Sequence, residues 1–151
     1  MAGLKRILLV EENYEGMEMT LTALDEYNLA NHVDVVHDGK QALDYLYRRG
    51  DFKTRAEGNP IVVLLNLNIP KVAGLEVLRQ IKSDRQLQII PVVVINSSRN
   101  KKDLVESYKL GVNAYVVKSD DFQQFFEAVM GLGLFWGLIN EPPDGCVNKT
   151  E

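Results

Sequence analysis

A chain of 151 residues with 46% hydrophobic and 25% charged residues has the size and make-up of one globular domain. Its net charge of −4, with no block of clustered Lys and Arg, argues against nucleic acid as a direct partner, because phosphate binding needs clustered cations. The one cysteine, Cys146, lies in a polar tail, so no internal disulfide forms and a reducing, cytoplasmic compartment is expected; no secretory signal pattern opens the chain.

Ile7-Leu8-Leu9-Val10 reads as a short buried strand that ends in Glu11 and Glu12. Tyr14 to Tyr27 carries Met17, Leu21 and Leu24 at helical spacing, with Asn28 as its stop. Val33-Asp34-Val35-Val36 is a second strand, closed by Asp38-Gly39 and followed by a helix from about Lys40 to Arg49. Gly50 to Pro60 is polar, contains Gly and Pro, and reads as an unusually long loop, which Tyr45, Tyr47 and Phe52 are placed to cover.

Ile61 to Leu65 is wholly apolar, as a central strand of a parallel sheet should be when both faces are covered. A helix from about Gly74 to Lys82, a strand Val92 to Ile95, a helix Lys101 to Leu110 and a strand Ala114 to Val117 follow. Arg99, Lys101 and Lys102 are the densest basic run and read as a solvated helix start. Ser97 and Ser98 read as caps of that helix.

A long last helix begins near Asp121, with Phe122, Phe125, Phe126 and Val129 on one face. Beyond them Leu132, Leu134, Phe135, Trp136, Leu138 and Ile139 surround the helix with more apolar groups than one small domain can cover. The apolar stretch Val129 to Ile139, broken by Gly131, Gly133 and Gly137, is too short to cross a bilayer. The domain therefore spans residues 1–140, and 141–151, from Glu141-Pro142-Pro143 onward, reads as a loose tail. Too few residues follow the last helix for a DNA-binding module.

Strands alternating with helices imply a parallel α/β sheet, in which ligands bind beyond the carboxyl ends of the strands. Those ends deliver Glu11 and Glu12, then Asn66, then Asn96, Ser97 and Ser98, and last Lys118 and Ser119. Acids, amides, hydroxyls and one lysine would meet in a single shallow pocket. Each alone is an ordinary polar strand end; together they mark a site.

Other chemistries fit poorly. His32 and His37 flank the second strand without a metal-ligand spacing and read as surface residues. Gly131-x-Gly133 lies inside a helix and is no nucleotide motif. A flavin phosphate loop could not be Glu11-Glu12-Asn13, which repels phosphate, and no Gly-x-Ser-x-Gly hydrolase elbow exists. No enzyme nucleophile stands out.

Ile7 to Asn13, Leu65-Asn66-Leu67-Asn68-Ile69-Pro70 with Gly74, Pro91 to Ser98 and Tyr115-Val116-Val117-Lys118 resemble the receiver domain of two-component response regulators. The resemblance covers about Lys5 to Leu134 and implies a flavodoxin-like (βα)5 fold with sheet order 2-1-3-4-5. Asn28 to Asn31, Ala42 to Gly50, and the ending Leu134-Phe135-Trp136 with Asn140-Glu141-Pro142-Pro143 are similar to small regulators that work with phytochrome-type histidine kinases.

The departures from that family matter more. Where the family has the aspartate that attacks a phosphohistidine, the resemblance aligns Asn66, and a neutral amide is a very poor nucleophile. Glu12, one methylene longer than the usual second acid, Glu11 and the backbone of Asn68 would be the remnant of the metal pocket. Asn96 aligns with the switch hydroxyl and Ser119 with the proline after the pocket lysine, while Tyr115 and Lys118 remain.

Departures at four positions favour a lineage that stopped using the chemistry over one substitution introduced to hold a conventional acceptor off. Three carboxylates within ~4 Å repel by about 4 kcal/mol per pair at an effective dielectric near 20, so such sites want Mg²⁺. With Asn66 neutral, Lys118 can sit against Glu11 or Glu12; no cofactor is required, and at most weak Mg²⁺ binding at Glu12 remains. Without a proline at 119, the Lys118–Ser119 bond is expected to be trans.

The expected function is a phosphorylation-independent adapter that binds a sensor histidine kinase or another response regulator. The surface of Phe135, Trp136, Leu138 and Ile139 is expected to form a homodimer, with no membrane or nucleic-acid partner. The alternative is a conventional phosphoacceptor regulator in which Asn66 is a substitution.

Overall fold

The computed structural model describes residues 5–97 and 100–143; the expectations for Ser98, Arg99, Cys146 and the tail from 144 lie outside them. Five parallel strands, β1 (Ile7–Val10), β2 (Val33–Val36), β3 (Val62–Asn66), β4 (Val92–Asn96) and β5 (Ala114–Val117), form one sheet in the order β2-β1-β3-β4-β5. Five α-helices alternate with them: α1 (Tyr14–Asp25), α2 (Gly39–Tyr47), α3 (Gly74–Ser83), α4 (Lys101–Leu110) and α5 (Phe122–Leu132). The flavodoxin-like receiver fold is therefore the one the resemblance implied.

Alternation along each strand divides the core into two layers. Leu8, Val10, Val63, Leu65, Val92 and Val94 face Leu43 and Leu46 of α2 and Val77, Leu78 and Ile81 of α3. Ile7, Leu9, Val62, Leu64, Val93 and Ile95 face Leu24 of α1 and Phe125 and Val129 of α5. Because both faces of β1, β3 and β4 are covered, these strands carry unbroken apolar runs. Register pairs Val10 with Leu65 and Asn66 with Ile95, which brings the polar strand ends to one edge of the sheet.

The boundaries move where backbone conformation intervenes. Arg48, at φ 53, ends α2 two residues before the expected Arg49 limit, and Asn28, at φ 59, closes the turn after α1. β3 and β4 each run one residue further than periodicity predicts, so Asn66 and Asn96 are themselves strand residues. The long loop is pinned to α2: Arg55 donates to the Tyr45 carbonyl at 2.7 Å and lies 4.3 Å over its ring, while Phe52 packs edge-on to the same ring. Tyr47 instead points outward and donates to Asp84.

The last helix departs most from expectation. After Leu132 it widens into a π-helix from Gly133 to Ile139. Gly133 and Gly137 lie against Leu24 and Leu29, where a Cβ would come within 2.7 and 2.9 Å of their methyls. Phe122, expected on the buried face, is 64% exposed, and Trp136 is half-buried against the sheet and not a free surface residue. Taken whole, Phe122–Ile139 is 18 residues of mean hydropathy 1.2, long and apolar enough by length and composition to cross a bilayer. The shorter stretch read from the sequence understated it; in this fold Phe125 and Val129 tie the element into the core.

Candidate functional site

Glu11 leaves β1 buried, and its Oε2 accepts from the Asn13 N–H at 3.0 Å. Asn13 in turn caps α1 by accepting from Gly16 N–H at 2.9 Å, so the first βα turn is fixed by two side chains that each serve the backbone. A Cβ on Gly16 would lie 2.6 Å from Glu11 Oε1 and 3.4 Å from Lys118 Nζ. Glycine at that position is what lets both charged groups approach α1.

Lys118 does not take the place expected for it. Among the described residues it forms no ion pair with Glu11 or Glu12; its ammonium lies 5.3 Å from the centre of the Phe125 ring, in cation–π range. The backbone of Lys118 is held by donation to Asn96 O at 2.7 Å, and no cis peptide bond occurs among the described residues, so Lys118–Ser119 is trans.

Asn66 Nδ2 donates to the carbonyl of Val10 on the neighbouring strand at 2.8 Å. Asn96, buried where Asn66 is half-buried, donates through Nδ2 to the Tyr115 hydroxyl at 3.0 Å and lies 3.4 Å from Asp103 at the start of α4. The two amides therefore stitch neighbouring elements together at the carboxyl edge of the sheet. Glu12 and Asn68 remain exposed at the mouth of the cleft.

A polar cleft of about 180 Å³ is lined by Glu11, Glu12, Asn66, Asn68, Asn96 and Lys118, together with Asn13, Ile95 and Ser97. Tyr115 stays outside it and reaches it only through Asn96. The loop below is clamped from behind: Gly39 N–H donates to Pro70 O at 3.1 Å, and buried Asp38 pairs with Lys71 at 3.5 Å. Neither clamp was read from the sequence, although an aspartate before a helix is a capping signal, and Asp38 does accept from Gln41 N–H.

Three smaller readings change. Asn100, not Ser97, caps α4 by accepting from Lys102 N–H. His37 is exposed as expected but lies 3.1 Å from the Glu11 carbonyl, and half-buried His32 lies 3.1 Å from that of Lys5. Asp103 was missed as a partner of Asn96; its signal was an acid in the first turn of a helix, where the dipole favours it.

Receiver sites of the family hold a divalent cation, and the residues here do not fit a tight one. No group of three or more His, Cys, Asp or Glu side chains is placed to hold a metal ion among the described residues. Asn66 contributes no charge, and one oxygen of Glu11 is already occupied by Asn13.

Three comparisons place this geometry. The response regulator receiver domain family matches residues 7–130. The response regulator Rcp1 of Synechocystis sp. is 36% identical over 132 residues, covering 87% of this chain and 88% of that protein. The phosphorylated cyanobacterial phytochrome response regulator RcpA superposes with a TM-score of 0.86 at 39% identity, over 93% of this chain and 99% of that one. The bacteriophytochrome response regulator RtBRR is 57% identical, with a TM-score of 0.74 over 95% of this chain and 86% of that one. On fold and sequence alike, the chain belongs to the response regulator receiver-domain family, beside the phytochrome-associated regulators.

Proposed function

We propose that this chain is an atypical receiver that signals by binding a protein partner and not by accepting a phosphoryl group. The observation that carries the reading is the Asn66 amide bonded to Val10 O at 2.8 Å. A carbonyl oxygen only accepts, so the amide nitrogen must face it, and a carboxylate in the same rotamer would set two acceptors against each other. The site is built around an amide at the position the resemblance aligns with the acceptor aspartate.

The rest of the cleft supports the same reading. Lys118 lines the cleft but makes no ion pair there among the described residues, its ammonium lying 5.3 Å from the centre of the Phe125 ring. Asn96 ties Tyr115 to the start of α4 by hydrogen bonds that need no phosphate. The protein is then held in one arrangement, and its output is which partner it binds. Cation binding is limited to weak, largely hydrated Mg²⁺ at Glu12.

By kinship with regulators described as phytochrome response regulators, the partner is a sensor histidine kinase or another response regulator. A homodimer forms through the end of the last helix, where Phe135, Leu138 and Ile139 are 46%, 53% and 62% exposed, with Trp136 supporting them from beneath. No enzymatic activity, direct nucleic-acid contact or membrane insertion is proposed, and the compartment is cytoplasmic.

Phosphotransfer from a partner kinase and from acetyl phosphate, run on this chain and on Asn66→Asp, tests the reading. No incorporation by the native chain and retained kinase binding are expected. Stable incorporation by the native chain would overturn it. Full activity restored by the single substitution would favour the second reading, a conventional acceptor in which Asn66 is a substitution.

A further inference from the structure

At the edge of the sheet opposite the cleft, the start of β1, the turn after α1 and the π-helical segment enclose a second groove of about 320 Å³. That size falls at the small end of the range in which small-molecule sites occur, roughly 300–1,000 Å³. Its floor is buried Ile7, Leu29 and Ile61, exposed Leu138 forms one lip, and its polar rim includes Lys5 and His32; no carboxylate lines it among the described residues.

The walls are fixed without a ligand. Ile61 N–H donates to Arg6 O at 2.8 Å, His32 N–H donates to Leu29 O at 2.9 Å, and Gly137 lies against Leu29. The His32 ring is also set: Nδ1 lies 3.1 Å from Lys5 O, which only accepts, so Nδ1 carries the hydrogen and Nε2 is the acceptor of the ring. The Lys5 ammonium makes no ion pair among the described residues.

We propose that this groove binds a small amphipathic anion, an aromatic or short aliphatic carboxylate or sulfonate. Its apolar body lies on Ile7, Leu29, Ile61 and Leu138, and its charged end faces the Lys5 ammonium, with the His32 ring alongside. An apolar floor beside one lysine ammonium selects a molecule with that division, because burying a lone anion elsewhere on an apolar surface is unfavourable. Gly137 and Leu138 belong to the π-helical segment, so a bound ligand bridges that segment to the body of the domain.

The test uses the whole chain and 8-anilinonaphthalene-1-sulfonate, with uncharged N-phenyl-1-naphthylamine as the comparison probe. Fluorescence should saturate at one site per chain. Lys5→Glu should weaken the sulfonate about tenfold and leave the neutral probe nearly unchanged, since a charged partner is lost but the floor is not. Phe122→Ser, at the far end of the last helix, should change neither. The two histidines give a reading independent of any variant: on titration the His32 ring resonances should move while those of His37, beside Glu11, stay in place. Unsaturable binding, equal sulfonate affinity in Lys5→Glu, or equal movement of both histidines would overturn the proposal. So would a probe affinity that falls in step with the dimer fraction, which would give the groove to a second copy of the chain.

Discussion

The side-chain amide of Asn66 and the main-chain carbonyl of Val10 are joined across β3 and β1 by a 2.8 Å hydrogen bond. A sheet edge held in this way has a built-in preference for amide over acid. Asn66→Asp is expected to turn its carboxylate into the cleft, toward Glu11 and Glu12, and to lower stability by about 1–3 kcal/mol through the unsatisfied Val10 carbonyl and like-charge repulsion. Denaturant unfolding reads the cost. Phosphorylation of the variant is expected to be at most partial under the proposed reading, in which Glu12, Asn96 and Ser119 also depart from the pattern that the resemblance implies.

The Asn96–Tyr115 bond gives a second prediction. Tyr115→Phe removes the hydroxyl and leaves the Asn96 amide with Asp103 among the described residues, so a loss of about 1 kcal/mol is expected. Asn96→Ala should cost more, since it frees both partners at once. Hydrogen exchange at the start of α4 should rise in both variants, and an unchanged α4 would mean the bond does not hold that helix.

Gly39 meets the loop after β3 at close range: a Cβ there would lie 2.0 Å from the Val72 carbonyl oxygen, which is backbone and cannot swing aside. Gly39→Ala is expected to cost about 1–3 kcal/mol, in the range of overpacked sites. Its NMR shifts should move at Pro70 to Ala73 and at Asn68, far more than those of Gly131→Ala, where nothing lies within 4 Å of the added carbon.

Assembly is tested at the last helix. Phe135→Asp with Ile139→Asp places charges on side chains that are 46% and 62% exposed, so the fold should survive. Burying a Leu, Phe or similar side chain contributes roughly 1.5–3 kcal/mol, enough for three or four of them to hold a dimer. Sedimentation at micromolar concentration should show a dimer for the native chain and a monomer for the variant. A native monomer would remove this surface.

Lys82 gives a pH dependence of stability. Burial lowers its ammonium from 10.5 to about 8, although Nζ donates to the carbonyls of Gln88 and Ile90. Between those two values the unfolded chain binds the proton that the folded chain has released, so stability contributed by this group rises with pH across that window. Lys82→Met should flatten the rise, which denaturant unfolding at about pH 8, 9 and 10 would measure by comparison with the native chain.

Much of this protein was legible in residue order alone. Unbroken apolar runs in β1, β3 and β4, helical spacing between them, and polar residues at each strand end determine a parallel α/β sheet with a site at its carboxyl edge, because these periodicities are local. The presence of Asn66 and Asn96 in that site is likewise a matter of sequence, while Ser119 turns to Gln124 and Asp121 at the start of α5. What the amides do there is not. Whether Asn66 bonds to Val10, whether Lys118 turns to Glu11 or to Phe125, and whether Asp103 reaches Asn96 depend on strands and helices brought together from distant parts of the chain. The same holds for the end of the last helix: its apolar residues were evident, but the π-helical segment that seats Gly133 on Leu24 of α1 and Gly137 on Leu29 in the turn after it involves residues distant in sequence. Side-chain direction follows from the neighbours a group meets, and those neighbours are set by tertiary contact.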